Sequence, residues 1–162
     1  MKYNNNNNNN NNGTLKIGDQ VPAFSLKDQS GAVWDSGKEL SGSISIIYFY
    51  PKDESGICTQ QACAFRDSYT AFTDAGVKVI GINPASTESH KRFGLKNNLP
   101  FTLLSDPQNI VLKQFGVKNA LFLTGRETFI FNKEGILIYK FRNFFKGGSH
   151  VEKALAFLDI TV

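Results

Sequence analysis

Two cysteines, Cys58 and Cys63, stand five positions apart in a chain of 162 residues and are the side chains best suited to chemistry. Cys58 follows Ile44 to Tyr50, a run of β-branched and aromatic residues that reads as a buried strand stopping at Pro51. Beyond the loop from Pro51 to Ile57, residues Ala62, Phe65, Tyr69 and Phe72 recur at three- and four-residue steps. This spacing predicts an amphipathic helix over Cys58 to Phe72, closed by Gly76. Cys58 then falls at a helix N-terminus beyond the carboxyl end of a central strand, where free amide N–H groups and the helix dipole favour an anion. A thiolate there is a nucleophile; the inert alternative is a small buried hydrophobe capping a helix. Two cysteines make no disulfide framework in a chain of this length, so their placement has to carry the argument.

The stretch Phe49-Tyr50-Pro51-Lys52-Asp53-Glu54-Ser55-Gly56-Ile57-Cys58 resembles the peroxiredoxins, whose pattern of Pro, three residues, Thr or Ser, two residues and Cys is met by Pro51, Ser55 and Cys58. A second cysteine five positions on, followed by Phe65-Arg66-Asp67, is similar to the peroxiredoxin Q or bacterioferritin-comigratory subfamily. The resemblance runs on through Ser89-His90-Lys91, Leu99 to Asp106 and Gly125-Arg126-Glu127-Thr128-Phe129. It implies an atypical two-cysteine thiol peroxidase on a thioredoxin-like fold. The resemblance implies Cys58 as the peroxidatic residue, oxidised to a sulfenic acid by hydrogen peroxide or an organic hydroperoxide. It further implies that Cys63 resolves it as a redox-active Cys58–Cys63 disulfide and that thioredoxin restores the thiols. Ser55 and Arg126 are implied in catalysis, and Pro51, Ser55, Ile57 and Arg126 in substrate binding. No metal and no cofactor are implied.

These residues suit those roles. The Ser55 hydroxyl can donate or accept at a peroxide, the amides at the helix start can bind the charge on the departing oxygen, and a guanidinium keeps its charge at working pH. Arg126 has a solvated surface position as its plainer reading. Five residues along one helix advance ~7.5 Å and turn ~140°, beyond disulfide reach, so joining Cys58 to Cys63 requires the first turns to unwind. If Cys63 is instead a core residue, an outside thiol must resolve the sulfenic acid. The chain departs from the subfamily pattern at Ser55, in place of the more frequent Thr, and at Gln61, where an acid is common. Gly56 and Ile57 also stand where Pro and Gly are usual.

The elements that position these groups alternate strand and helix. Short apolar pieces from Val21 to Phe24 and at Val33-Trp34 flank a turn-rich Lys27 to Gly31, as in a small N-terminal hairpin. Val77 to Ile82 reads as a strand, Ser86 to Asn97 as a helix, Phe101 to Leu104 as a strand and Asn109 to Phe115 as a short helix. Thr128 to Phe131 and Ile136 to Phe141 form a hairpin turning at Asn132 to Gly135, and Val151 to Leu158 is the last helix. The fold class is α/β, a three-layer α/β/α sandwich with a mixed central sheet. Residues 1–16, with nine consecutive asparagines from Asn4, read as a disordered tail, and 17–162 as one domain.

Composition narrows the function. The net charge of +4 falls to +2 once Lys2 and Lys16 are set aside, and the remaining signs are interleaved, which argues against a nucleic-acid surface. No apolar run approaches the ~18 residues of a membrane span. The asparagine-rich start lacks the apolar block of a secretory signal, so a cytoplasmic setting is expected. His90 and His150 read as surface or capping residues rather than a general base or, with the cysteines, a zinc site. Oligomeric state is read as monomer or weak dimer. Two further functions remain: a thiol-disulfide oxidoreductase, though without the usual Cys-x-x-Cys, and a redox sensor that passes oxidation to a partner.

Overall fold

A computed structural model describes residues 13–119 and 124–162, so the asparagine run lies outside the described residues. The chain forms β1 (Ser25–Asp28), β2 (Val33–Asp35), α1 (Ser36–Glu39), β3 (Ile44–Phe49), α2 (Gly56–Asp67), α3 (Tyr69–Asp74) and β4 (Val77–Asn83). There follow α4 (Thr87–Lys96), β5 (Thr102–Ser105), a 3-10 turn (Pro107–Asn109), α5 (Ile110–Phe115), β6 (Glu127–Phe131), β7 (Leu137–Arg142) and α6 (Gly147–Phe157).

Apolar residues on successive strands dictate a central sheet buried on both faces. Along β3 the side chains alternate: Ile46 and Tyr48, with Tyr50 just beyond, join Phe65 of α2, Phe72 of α3, Phe93 of α4 and Val151 of α6 on one side. Ile47 and Phe49 join Phe24, Trp34, Phe115 and Phe129 on the other. The seven strands lie in the order β2-β1-β5-β4-β3-β6-β7. β3, β4 and β5 are parallel, and β6 runs antiparallel beside β3, with Phe49 opposite Glu127. This pairing brings the start of β6 alongside the end of β3, where the strand hands over to the loop before Cys58. At the other end of the chain's first folded stretch, the Leu15 amide donates to the Phe115 carbonyl at 3.2 Å.

The mixed α/β sandwich expected from the sequence is the observed one, with three local differences. The first hairpin strand is Ser25–Asp28 rather than Val21 to Phe24, because Asp28 Oδ1 accepts from the Ser30 and Ala32 amides and fixes the turn directly after Asp28. That hairpin extends the main sheet through β1 on β5. The helix expected over Cys58 to Phe72 begins two residues earlier, at Gly56, and breaks at Ser68 into α2 and α3. Ala62, Phe65 and Phe72 are all fully buried across that break, so apolar spacing alone does not register it. Helix α6 likewise starts at Gly147, four residues before Val151.

Candidate active site

Pro51 stops β3, and five residues later the chain enters α2 with Ser55 as its N-cap in extended conformation (φ −71°, ψ 151°). The Ser55 carbonyl accepts from the Thr59 amide at 2.8 Å, the first bond of the helix. Cys58 therefore sits in the first turn, among N–H groups that have no intrahelical acceptor. Its side chain is 1% exposed. The Ser55 side chain caps no amide, and its hydroxyl makes only a long contact, 3.4 Å, to the Lys52 carbonyl. Pro51, Ser55 and Ile57 are half-buried.

Arg126 arrives from the residue just before β6. Its Nη2 donates to Cys58 Sγ at 3.2 Å, its Nη1 donates to Gln61 Oε1, and its Nε donates to the Phe144 carbonyl at 3.0 Å. The Phe144 ring lies 5.8 Å from the guanidinium carbon. The arginine is 2% exposed, so the solvated surface reading does not hold. Gln61 answers the guanidinium with a neutral oxygen, which leaves the cation's charge facing the sulfur rather than a carboxylate. Three separate donations fix the guanidinium plane, an arrangement that a single ammonium does not reproduce.

Cys63 lies one and a half turns further along the same helix, half-buried, with Sγ 3.9 Å from Asn97 Oδ1. Both thiols are free, and an intact helix holds their Cα atoms about 8–9 Å apart, outside disulfide geometry. The structure thus joins Cys58 to Arg126 directly and keeps Cys63 apart from Cys58. Asn97 is the C-cap of α4, and its carbonyl also accepts from Arg66 Nη1 of α2 at 2.8 Å.

Both histidines depart from the sequence reading, since each is fully buried. His150 lies within α6, where its Nε2 faces the Asn143 carbonyl at 2.8 Å and its Nδ1 faces Thr128 Oγ1 at 2.8 Å. The carbonyl can only accept, so Nε2 carries the proton and Nδ1 takes the threonine hydroxyl. Burial, with Arg126 nearby, lowers His150 from 6.5 to about 4 and keeps the ring neutral. It thereby ties the loop that carries Phe144 to β6.

His90, on α4, reaches Asp53 in the Pro51 to Ser55 loop with Nδ1 at 2.8 Å from Oδ2, while its Nε2 faces the Leu104 carbonyl at 3.1 Å. Asp53 is 5% exposed and also accepts from Tyr50 Oη (2.7 Å), Asn83 Nδ2 (2.9 Å) and Ser89 Oγ (2.8 Å). Burial alone would raise the Asp53 carboxyl, yet the bond and charge from His90, with the hydroxyls of Tyr50 and Ser89, hold it below the usual carboxylate range. Sequence reasoning missed Asp53, His90 and His150. A signal was present: His90 stands three positions before buried Phe93, and His150 adjoins Val151 and precedes Ala154 by four, so both share the buried face of their helix.

A mixed sheet of this order, with a cysteine in the first turn after a central strand and a buried arginine against its sulfur, defines a thioredoxin-like thiol protein. The model of the AhpC/TSA family matches residues 17–140, and the chain belongs to that family. Among curated relatives, "Peroxiredoxin Q, chloroplastic" of Sedum lineare is 47% identical over 144 residues, which cover 88% of this chain and 77% of that protein. Among solved structures, "Peroxidoxin BcpB" from Mycobacterium tuberculosis superposes with a TM-score of 0.83 at 32% identity, covering 90% of this chain and 97% of that one. The bacterioferritin comigratory protein of Xanthomonas campestris, whose structure is described in terms of alkyl peroxide reduction activity, gives a TM-score of 0.77 at 27% identity over 84% and 90%. The peroxiredoxin resemblance carried by Pro51 to Asp67 is thereby upheld. Among the described residues, no helix is long and apolar enough to cross a membrane, and no group of three or more His, Cys, Asp or Glu could hold a metal ion.

Proposed function

We propose that the chain is a thiol peroxidase in which Cys58 reduces hydroperoxides and Cys63 resolves the product. The observation that carries this reading is the buried Arg126 Nη2 donating to Cys58 Sγ at 3.2 Å in the first turn of α2. The thiolate attacks the terminal oxygen of ROOH. An S–O bond forms, the O–O bond breaks, sulfur loses two electrons, and the departing RO⁻ takes a proton to leave as water or an alcohol. Arg126 and the first-turn amides face the charge that develops on the oxygens, and the uncommitted Ser55 hydroxyl can orient the peroxide. Pro51 and Ile57 line the approach.

Resolution then requires α2 to unwind from its start, so that Cys63 sulfur reaches the sulfenic sulfur. An S–S bond forms, the S–O bond breaks, and the hydroxyl leaves as water with the Cys63 proton. A dithiol reductant of the thioredoxin kind returns both cysteines to thiols. We place the protein in the cytoplasm, where such reductants keep a two-cysteine chain reduced, and read it as a monomer or weak dimer. The test is peroxide consumption coupled to thioredoxin and NADPH, with intact mass after one equivalent of peroxide, for the wild type, Cys58→Ser and Cys63→Ser. Loss of all turnover in Cys58→Ser, a sulfenic acid in Cys63→Ser and a two-proton mass loss in the wild type are expected. Full activity in Cys63→Ser assigns resolution to an external thiol, and no turnover in the wild type overturns the peroxidase.

A further inference from the structure

The loop from Pro51 to Ser55 carries the residues closest in sequence to the attacking thiol, and within it only Asp53 is buried; Pro51 and Ser55 are half-buried, Lys52 and Glu54 exposed. Glu54 adopts a left-handed conformation (φ 63°), which turns the chain sharply between Asp53 and the helix cap. An exposed ion pair from Lys96 to Glu54, at 3.5 Å, reaches the loop from α4. Asp53 ties it from within: its four donors come from the end of β3 (Tyr50), the end of β4 (Asn83) and the first turns of α4 (Ser89 and His90).

The second nitrogen of His90 faces the carbonyl of Leu104 on β5. A carbonyl only accepts, and a carboxylate already receiving three other donors is best served by a fourth. His90 thus bridges the Asp53 carboxylate to the Leu104 carbonyl. Such a pair away from water is sensitive to losing one member, because a buried polar group is then left without its partner.

We propose that Asp53 and His90 form a buried hydrogen-bonded clamp that positions the Pro51 to Ser55 loop, and with it the peroxide-facing groups, over Cys58. This deepens the proposed function and rests on that reading of Cys58. Asp53 and His90 touch neither sulfur nor peroxide, so they act as positioning residues. The same helix that supplies His90 at its start presents its C-cap, Asn97, to Cys63. One rigid element therefore registers both thiol segments.

The clamp makes a distinction that a general loss of stability does not. Alkylation of the buried Cys58 by iodoacetamide needs access to the sulfur, which a released loop does not reduce, whereas reaction with a hydroperoxide needs the loop groups in place. Asp53→Ala should slow Cys58 oxidation by one equivalent of hydrogen peroxide about tenfold while leaving iodoacetamide alkylation no slower than in the wild type. Asp53→Asn retains the shape and can still hydrogen-bond to the His90 ring, so it should recover the peroxide rate to within about threefold.

Equal slowing of oxidation and alkylation in Asp53→Ala, an unchanged peroxide rate in that variant, or an Asp53→Asn rate no better than that of Asp53→Ala overturns the clamp. If Asp53→Ala does not fold, Ser89→Ala removes one donor from the half-buried rim. A peroxide rate about two- to threefold lower supports the clamp there, and an unchanged rate overturns it. Peroxide consumption that survives Cys58→Ser would instead take down the proposed function, a result independent of the Asp53 variants.

Discussion

Replacing Gly147 with alanine tests whether the start of α6 sets the geometry of the thiol's helix. A Cβ at this position would stand 2.5 Å from the Ile57 carbonyl oxygen, 2.9 Å from Gln61 Cβ and 3.1 Å from the Gln61 amide nitrogen. Ordinary contact begins near ~3.5 Å, so α6 and the first turns of α2 must separate by about 1 Å. The obstructing atoms are mainly backbone, which no side-chain rotation can relieve. Overpacking of this kind costs about 1–3 kcal/mol, less whatever helix propensity alanine gains over glycine, and a net loss of ~2 kcal/mol lowers Tm by about 4–8 °C in a chain of this size. The chemical effect should be larger, because the displaced residues flank Cys58 and include Gln61, which holds Arg126; a ~1 Å misplacement of reacting groups costs on the order of 100-fold. Gly148→Ala is the control, since a Cβ there meets nothing within 4 Å. Thermal melts and single-turnover oxidation of Cys58 by stopped flow would be compared across the three proteins. Wild-type Tm and rate in Gly147→Ala, or equal losses in Gly148→Ala, would refute the reasoning.

Arg126→Met should slow Cys58 oxidation roughly 100- to 1000-fold, as expected when a positioned donor to developing charge is removed. Arg126→Lys should restore less than about a tenth of the wild-type rate, because an ammonium cannot serve Sγ, Gln61 and the Phe144 carbonyl together; a wild-type rate would show that charge alone suffices. His150, lowered to about 4 in the folded chain against 6.5 ordinarily, is protonated first in the unfolded state. Its contribution to stability is whole above pH 6.5 and is lost as pH falls to about 4, an effect of about 3 kcal/mol. Urea unfolding of His150→Gln should therefore show a flatter pH dependence than the wild type between those values, and parallel curves would count against the buried neutral ring.

The fold was legible wherever apolar residues keep a clean period. β3, β4 and the β6–β7 hairpin emerge from runs of Val, Ile and Phe, and Cys58 falls beyond β3 because Pro51 ends it. Arg126 was legible only through resemblance, since its partner lies 68 positions away and no local spacing links them. Asp53, His90 and His150 escaped for a related reason. A polar side chain is buried when distant elements supply its partners, and Asp53 takes three of its four donors from a strand end 30 positions on and a helix 36 and 37 positions on. The break at Ser68 was hidden because apolar spacing carries straight through it.

The distance along the chain between Cys58 and the arginine that meets it bears on how the protein is made. Residue 58 leaves the ribosome long before residue 126, and β6, which carries the arginine to its place, can pair with β3 only after the intervening strands and helices exist. During synthesis Cys58 stands on an unfinished sheet without its guanidinium. Its partner arrives with the antiparallel strand that lies between β3 and β7, so the contact between Cys58 and Arg126 forms only once β6 is in place. A truncated copy lacking β6 would leave Cys58 without that contact.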